Sequence, residues 1–250
     1  MSIEKSEAIV LRTWKYGDSS RIVSLYSRRF GKLRLIAKGA RSKKPRFGAS
    51  LEPFTETLIV FYKKQERELQ LLSSSDSIAN FVRLRERPVH LGLACAMVES
   101  VDRLTPLEQE DAGLYALLRS ALVAIEATDS EADAESAFWR AQKALLVHLG
   151  YRWELEACVS CGAAISGAKV AIDPIEGALC GSCARSRRDA LTIGGPTRAV
   201  LIAGLPGVLA GGELHETRRL FSLFYERCGL GRGPLRALAY LAVLGPEDVT

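Results

Sequence analysis

Cys158-Val159-Ser160-Cys161-Gly162 and Cys180-Gly181-Ser182-Cys183 are two CxxC pairs with 18 residues between them. That separation falls in the window of about 15–20 residues expected of a zinc site with four cysteine ligands. A CxxC turn puts two thiolates on one side of a tight knuckle, and two knuckles together surround a tetrahedral ion at about 2.3 Å from each sulfur. Gly162 and Gly181, beside the ligands, are expected to let backbone amides approach the sulfurs. Lys169 to Leu179 reads as a short hairpin between the pairs. Two disulfides and a redox pair are the competing readings. Six cysteines in 250 residues are too sparse for a disulfide framework, and a redox CxxC would sit in a βαβ context that is absent here. Four thiolates leave no open position for water or substrate, so one structural zinc ion is expected at Cys158, Cys161, Cys180 and Cys183. Cys95, in an apolar stretch, and Cys228, near a helix end, read as small core residues.

The second group with chemistry to offer is cationic. Arg28, Arg29, Lys32, Arg34, Lys38, Arg41, Lys43, Lys44 and Arg46 fall within 19 residues that hold no Asp or Glu. Residues 1 to 80 carry 16 Lys or Arg against 8 Asp or Glu, and the remainder carries 18 against 21, so the net charge of +5 is N-terminal in origin. Such asymmetry points to a polyanion partner for one half of the chain. Phosphate contacts are the expected use of the run, with affinity that falls steeply with salt. Trp14, Tyr16, Tyr26, Phe47 and Tyr62 lie among these cations; they either stack on unpaired bases or fill a barrel interior, and the interior is the commoner fate. Enzyme chemistry has no support: no GxxxxGK[ST] loop, no HExxH and no two-metal carboxylate cluster occurs. His90, His148 and His215 are scattered and read as structural.

The elements that would position these groups change type along the chain. Up to about Ser77, short apolar runs alternate with turns: Glu7–Leu11, Arg21–Tyr26, Leu33–Ala37, Thr57–Tyr62 and Leu69–Leu72. Five strands in some 75 residues imply a small barrel of the oligonucleotide-binding (OB) type. Beyond Asn80, apolar spacings of three and four predict helices over 88–103, 107–127 and 134–149, and again near Pro196–Ala203, Glu213–Cys228 and Pro234–Leu244. The Gly-rich stretches Gly204–Gly212 and Gly229–Gly233 read as connectors. The expected fold is α+β multidomain: an N-terminal OB-fold β-barrel over residues 1–80, then a mostly α-helical domain over 81–250 carrying the zinc module at about 155–190. No apolar run is long enough to span a membrane and the start lacks signal-peptide order, so a cytoplasmic location is expected.

Several segments together resemble the RecO family of bacterial DNA repair proteins, recombination mediators of the RecF pathway. They are Glu7-Ala8-Ile9-Val10-Leu11, Tyr16-Gly17-Asp18-Ser19-Ser20-Arg21-Ile22-Val23, Gly31-Lys32-Leu33, Ala37-Lys38-Gly39-Ala40-Arg41, Leu51-Glu52-Pro53-Phe54, and Leu145 to Tyr151 leading into the first CxxC pair. The resemblance implies a non-enzymatic protein that binds single- and double-stranded DNA and anneals complementary strands. It also implies help, with RecR, in loading RecA onto DNA coated by single-strand-binding protein, whose C-terminal tail docks in the helical domain. The implied DNA contacts map onto Lys38, Arg41, Lys43, Lys44 and Arg46, and the implied location is nucleoid-associated. An RNA-binding barrel protein and, less favoured, a nucleotidyltransferase or ligase-type enzyme are the alternatives. Arg185, Arg187 and Arg188 form a secondary candidate contact beside the cysteines.

Overall fold

The computed structural model describes residues 1–42, 46–64, 67–187, 189–228 and 235–238. Lys43, Lys44, Arg188, Gly229–Gly233 and most of the helix expected at Pro234–Leu244 lie outside the described residues. Strands β1 (Ser2–Tyr16), β2 (Ser20–Ser27), β3 (Gly31–Ala37), β4 (Glu56–Lys63) and β5 (Leu69–Ala79) close into a barrel of order β1-β2-β3-β5-β4, the five-stranded Greek-key arrangement of OB folds. All neighbours are antiparallel except β3 and β5, which are joined in parallel by Arg34↔Leu69, Leu35↔Gln70 and Ile36↔Leu71. Inward positions alternate along the strands, so Val23, Leu25, Leu33, Leu35, Ile59 and Phe61 form the barrel core with Phe47 and Leu51.

Two strands run longer than their apolar runs announce. Sequence places β1 at Glu7–Leu11, yet it spans 15 residues, because Ser2–Ile9 pairs with β4 while Ala8–Tyr16 pairs with β2. A register shift between Val10 and Arg12 bends it from one partner to the other. Likewise β5 continues from Leu72 to Ala79 through polar residues.

Helices α1 (Val82–Glu86), α2 (Pro88–Leu104) and α3 (Ala112–Glu126) follow. Pro88 opens α2, and the Asp111 carboxylate caps α3 by accepting from Leu114 N at 2.8 Å. These helices belong to the same compact unit as the barrel, residues 1–127. Buried Glu56 of β4 accepts from Tyr115 Oη at 2.7 Å and from Arg119 Nε at 3.0 Å, and Ser24 Oγ donates to Asp102 at 2.8 Å. Gly31 (φ +64) lies so close to the α2–α3 connection that a Cβ would stand 1.8 Å from the Gln109 carbonyl oxygen.

The second compact unit, residues 128–239, holds α4 (Glu131–His148), strands β6 (Lys169–Asp173), β7 (Gly177–Leu179) and β8 (Leu191–Gly194), and helices α5 (Gly181–Ala184), α6 (Gly195–Ile202) and α7 (Gly211–Arg227). Ser130 caps α4 through Asp133 N at 3.1 Å. The strands form a sheet of order β7-β6-β8, and the β6–β7 pair is the hairpin anticipated between the cysteine pairs. An aromatic core of Phe138, Trp139, Trp153, Phe221 and Phe224 joins α4, the chain after it and α7. Among the described residues no helix is long and apolar enough to cross a membrane.

Candidate metal centre and nucleic-acid interface

The fold brings the four cysteines together. The sulfurs of Cys158, Cys161, Cys180 and Cys183 all lie within 4.8 Å of one another, and Cys161 and Cys180 are 3.7 Å apart. Thiolates about 2.3 Å from a tetrahedral ion stand roughly 3.8 Å from each other, whereas a disulfide would need about 2 Å. The donor set therefore fits a metal ion, and all four thiols are free.

Local backbone explains the convergence. After the first pair the chain folds back, with Gly162 N donating to Cys158 O and Cys158 N to Ala163 O, both at 2.8 Å. Gly162 makes this turn at φ +74, a conformation that disfavours any side chain. Gly181 behaves differently from expectation: it has no left-handed φ and instead starts the short helix α5. The N–H of Cys180 reaches the Cys158 sulfur and pulls that thiol below its usual range. The Ser182 hydroxyl and the Cys183 amide bring Cys180 down to about 6. Cys161 and Cys183 go the other way, Cys183 up to about 12 through the neighbouring Cys180 and Cys161 sulfurs, so the four share their protons unevenly and metal binding would release those that remain.

Polar contacts brace the module around the cluster. Asp173 closes the β6–β7 turn by accepting from Ile175 N and Glu176 N. Arg187 donates to Asp173 at 3.3 Å and to Glu176 at 3.1 Å, so of the secondary cations it is occupied in holding the hairpin, while Arg185 is exposed. The Trp153 indole donates to Pro174 O at 2.7 Å. Gly177, at φ +130, lets the Glu154 backbone approach to where a Cβ would stand 2.1 Å from its oxygen.

The cationic run is divided by the fold. Arg28 and Arg29 sit in the β2–β3 turn, where Glu7 pairs with Arg28 at 3.0 Å and Glu4 approaches Arg29 to 3.9 Å. Lys38, Arg41 and Arg46 lie past the far end of β3, beside the β1–β2 turn, a strand length of roughly 25 Å away. All three are exposed, and among the described residues none of them is in an ion pair. Arg41 ties this end together: its N–H donates to Ser19 O at 2.8 Å and its guanidinium to Gly17 O at 3.3 Å. Arg46 donates to Ser73 O at 3.3 Å and lies over the Phe47 ring. Arg34 is half-buried on β3.

Lys32 departs from the expected role. Its side chain is 6% exposed and its ammonium donates to the Asp102 carbonyl at 2.7 Å. It points outward from the barrel as the alternation requires, but α2 covers that stretch of strand, so the charge anchors a helix and faces no solvent. Of the aromatics, Tyr26 and Phe47 are buried, Trp14 and Tyr62 are half-buried and Tyr16 is 48% exposed. Two exposed cations, Arg12 and Lys15, join the free end of the barrel although they lie outside the 28–46 run. Their place in a strand that outlasts its apolar core was the signal available for them.

Residues 1–81 match the family model described as Recombination protein O N terminal, and residues 85–226 match Recombination protein O C terminal. Among curated proteins, the DNA repair protein RecO of Syntrophus aciditrophicus is 33% identical over 88% of this chain and 88% of its own length. The RecO protein of Anaeromyxobacter dehalogenans (strain 2CP-C) is 32% identical over 97% of each. That of Salinibacter ruber is 43% identical over a shorter stretch, 48% of this chain and 46% of its own length.

Proposed function

The chain belongs to the recombination protein O family, and from that premise we propose that it is a DNA repair and homologous recombination mediator. It binds single- and double-stranded DNA, anneals complementary strands, and with RecR helps load RecA onto DNA coated by single-strand-binding protein, whose C-terminal tail it engages. The observation that carries this reading is the cationic end of the barrel, where Lys38, Arg41 and Arg46 are exposed and outside any ion pair among the described residues. Lys43 and Lys44 fall between Arg41 and Arg46 in the sequence.

Annealing makes and breaks no covalent bond. Two strands repel until their phosphates are neutralised, and a surface with more cations than one strand needs can hold a second. The work is therefore done by binding alone, and no catalytic residue is assigned. Arg28 and Arg29 contribute less, since carboxylates already face them, and Arg34 lies between the two ends of the barrel face.

Cys158, Cys161, Cys180 and Cys183 hold one structural zinc ion in this reading. Bound there, zinc would supply a cross-link between two loops and no reactive position, because four thiolates complete its coordination. The residues around it do the positioning: Gly162 turns the first knuckle, Asp173 and Arg187 fix the hairpin, and Trp153 attaches the module to the aromatic core.

The test is annealing of complementary oligonucleotides, bare and coated with single-strand-binding protein, at low and high salt. Acceleration that fades as salt rises is expected. A protein that leaves both rates unchanged at low salt would overturn the mediator reading.

A further inference from the structure

We propose that the outer face of the β1–β2–β3 sheet, at the end nearest the β1–β2 turn, is a stacking platform on which Trp14 and Tyr16 hold unpaired bases of a single strand. The proposal rests on the DNA-binding reading above and adds to it the face used and the state of the nucleic acid selected.

The register defines that face. Beyond the shift at Val10/Arg12, the pairings are Arg12↔Ser24, Trp14↔Ile22 and Tyr16↔Ser20, and β3 continues the rows through Ser24↔Arg34 and Ile22↔Ile36. Directly opposed residues share a face. Val23, Leu25, Leu33 and Leu35 take the inner face as barrel core, so Arg12, Trp14 and Tyr16 lie on the outer one with Ile22 and Ile36.

Helix α2 closes only half of this face. Ser24 and Lys32 both bond to Asp102, which removes the lower rows from solvent. In the upper rows Ile22, 8% exposed, forms a floor, while Trp14 and Ile36 are half-buried, Tyr16 is 48% exposed and Arg12 is exposed. The Arg12 guanidinium lies 5.5 Å from the centre of the Trp14 ring.

The polar atoms of these two aromatics differ from those of three aromatics packed in the interior. Trp139, Trp153 and Tyr115 each donate a hydrogen bond to a protein acceptor. Among the described residues, the Trp14 indole N–H and the Tyr16 hydroxyl have no such partner. Two large rings left unburied on a strand, with their donors unused, are fitted to a flat ligand that has a π-face and acceptors along its edge.

Charge selects the class of that ligand. Arg12, Lys38 and Arg41 border the platform, the Asp18 carboxylate is the acid of the turn, and Glu52 is occupied by Arg21 at 2.9 Å. A polyanion carrying exposed aromatic rings is single-stranded nucleic acid, since a duplex hides its base faces. Positions 14 and 16 are about 6.7 Å apart along the strand, close to two stacking steps of 3.4 Å, which leaves room for a base at each ring.

The experiment compares binding of the full chain to an oligothymidylate and to an abasic oligonucleotide of equal length, at one stated low salt, by fluorescence anisotropy. The intact protein is expected to prefer the oligothymidylate by on the order of tenfold. Trp14→Ala/Tyr16→Ala should lose that preference while binding the abasic strand as before, and Trp14→Phe should retain most of it. Tryptophan emission should be quenched by the oligothymidylate in the intact protein but hardly in Trp14→Phe. If the double variant unfolds early, Trp14→Leu/Tyr16→Leu, which keeps apolar bulk but removes both rings, carries the comparison. Equal affinity of the intact protein for both oligonucleotides, or an equal loss on both in the variants, would sink the platform and leave DNA binding standing. Failure of the intact protein to bind either oligonucleotide would remove both readings at once.

Discussion

The cationic end of the barrel and the four-cysteine module solve opposite problems. The barrel closes on itself and buries a core of its own, so apart from what Arg41 and Arg46 add at the β1–β2 turn and β5, the charges at its rim are not needed to hold it and in the proposed reading meet a partner. The module is three short strands and a four-residue helix with a small apolar face of Val170, Ile172, Leu179, Leu191 and Ile193, and in the same proposed reading it adds its most reactive side chains to its own cohesion. On that proposal the more specific sequence signal marks a structural feature, and the less specific one the working surface.

Breaking the module tests one side of that comparison with the largest expected effect. Structural zinc in small peptides is worth roughly 10–16 kcal/mol of apparent binding energy, so chelation, or Cys180→Ser/Cys183→Ser, should lower the unfolding midpoint by about 10 °C or more. Metal content should fall from one zinc per chain to none, and limited proteolysis should cut within the 155–190 segment. Affinity for DNA should stay within about threefold; loss of binding with the barrel still folded would put the working surface in the module instead.

Lys38→Ala/Arg41→Ala/Arg46→Ala attacks the other side. Each phosphate that a cation no longer neutralises reduces the slope of log K against log salt by about 0.7–0.9, so the slope should fall by roughly two to three. The unfolding midpoint should move only by what Arg41 contributes in tying down the β1–β2 turn. An unchanged slope would mean that these cations face no phosphate.

Lys32→Ala sharpens the contrast inside one run of charge. Removing the ammonium from the Asp102 carbonyl leaves a covered acceptor unsatisfied and should destabilise the protein by about 1–3 kcal/mol in denaturant unfolding. The salt slope of DNA binding should not change. Arg28→Ala gives the smallest response: its exposed pair with Glu7 is worth under about 1 kcal/mol, and affinity should shift by less than about twofold.

How much of this was legible in the sequence follows from how local each signal is. CxxC spacing is a property of a few bonded residues, so the cluster could be placed before any fold was known. The five strands were legible from alternating runs, and their number and spacing pointed to the barrel type. The split of the cationic run was not legible, because positions 28 and 46 are near in sequence and become distant only when β3 is laid between them. Lys32 reads like its neighbours until α2 covers it, and that cover comes from residues some seventy positions away. Arg12, Trp14 and Tyr16 were hard to see as one face because a strand's polar outer half carries no hydrophobic period.

The parallel pairing of β3 with β5 has a consequence for the order of events in folding. Every other neighbouring pair in the barrel is antiparallel, but this seam joins residues about 35 positions apart through three register pairs. Pairings of such span are slow to find, and with only three register pairs to reward it this seam is expected, like the still longer-range β1–β4 pairing, to form late. Until it closes, β3 and β5 are open edges, each able to pair with a strand of another molecule. On a ribosome β5 emerges well after β3, so the newly made chain passes through an interval with one unsealed edge. The yield of folded protein should depend on temperature and crowding during that interval more than on the stability of the finished barrel.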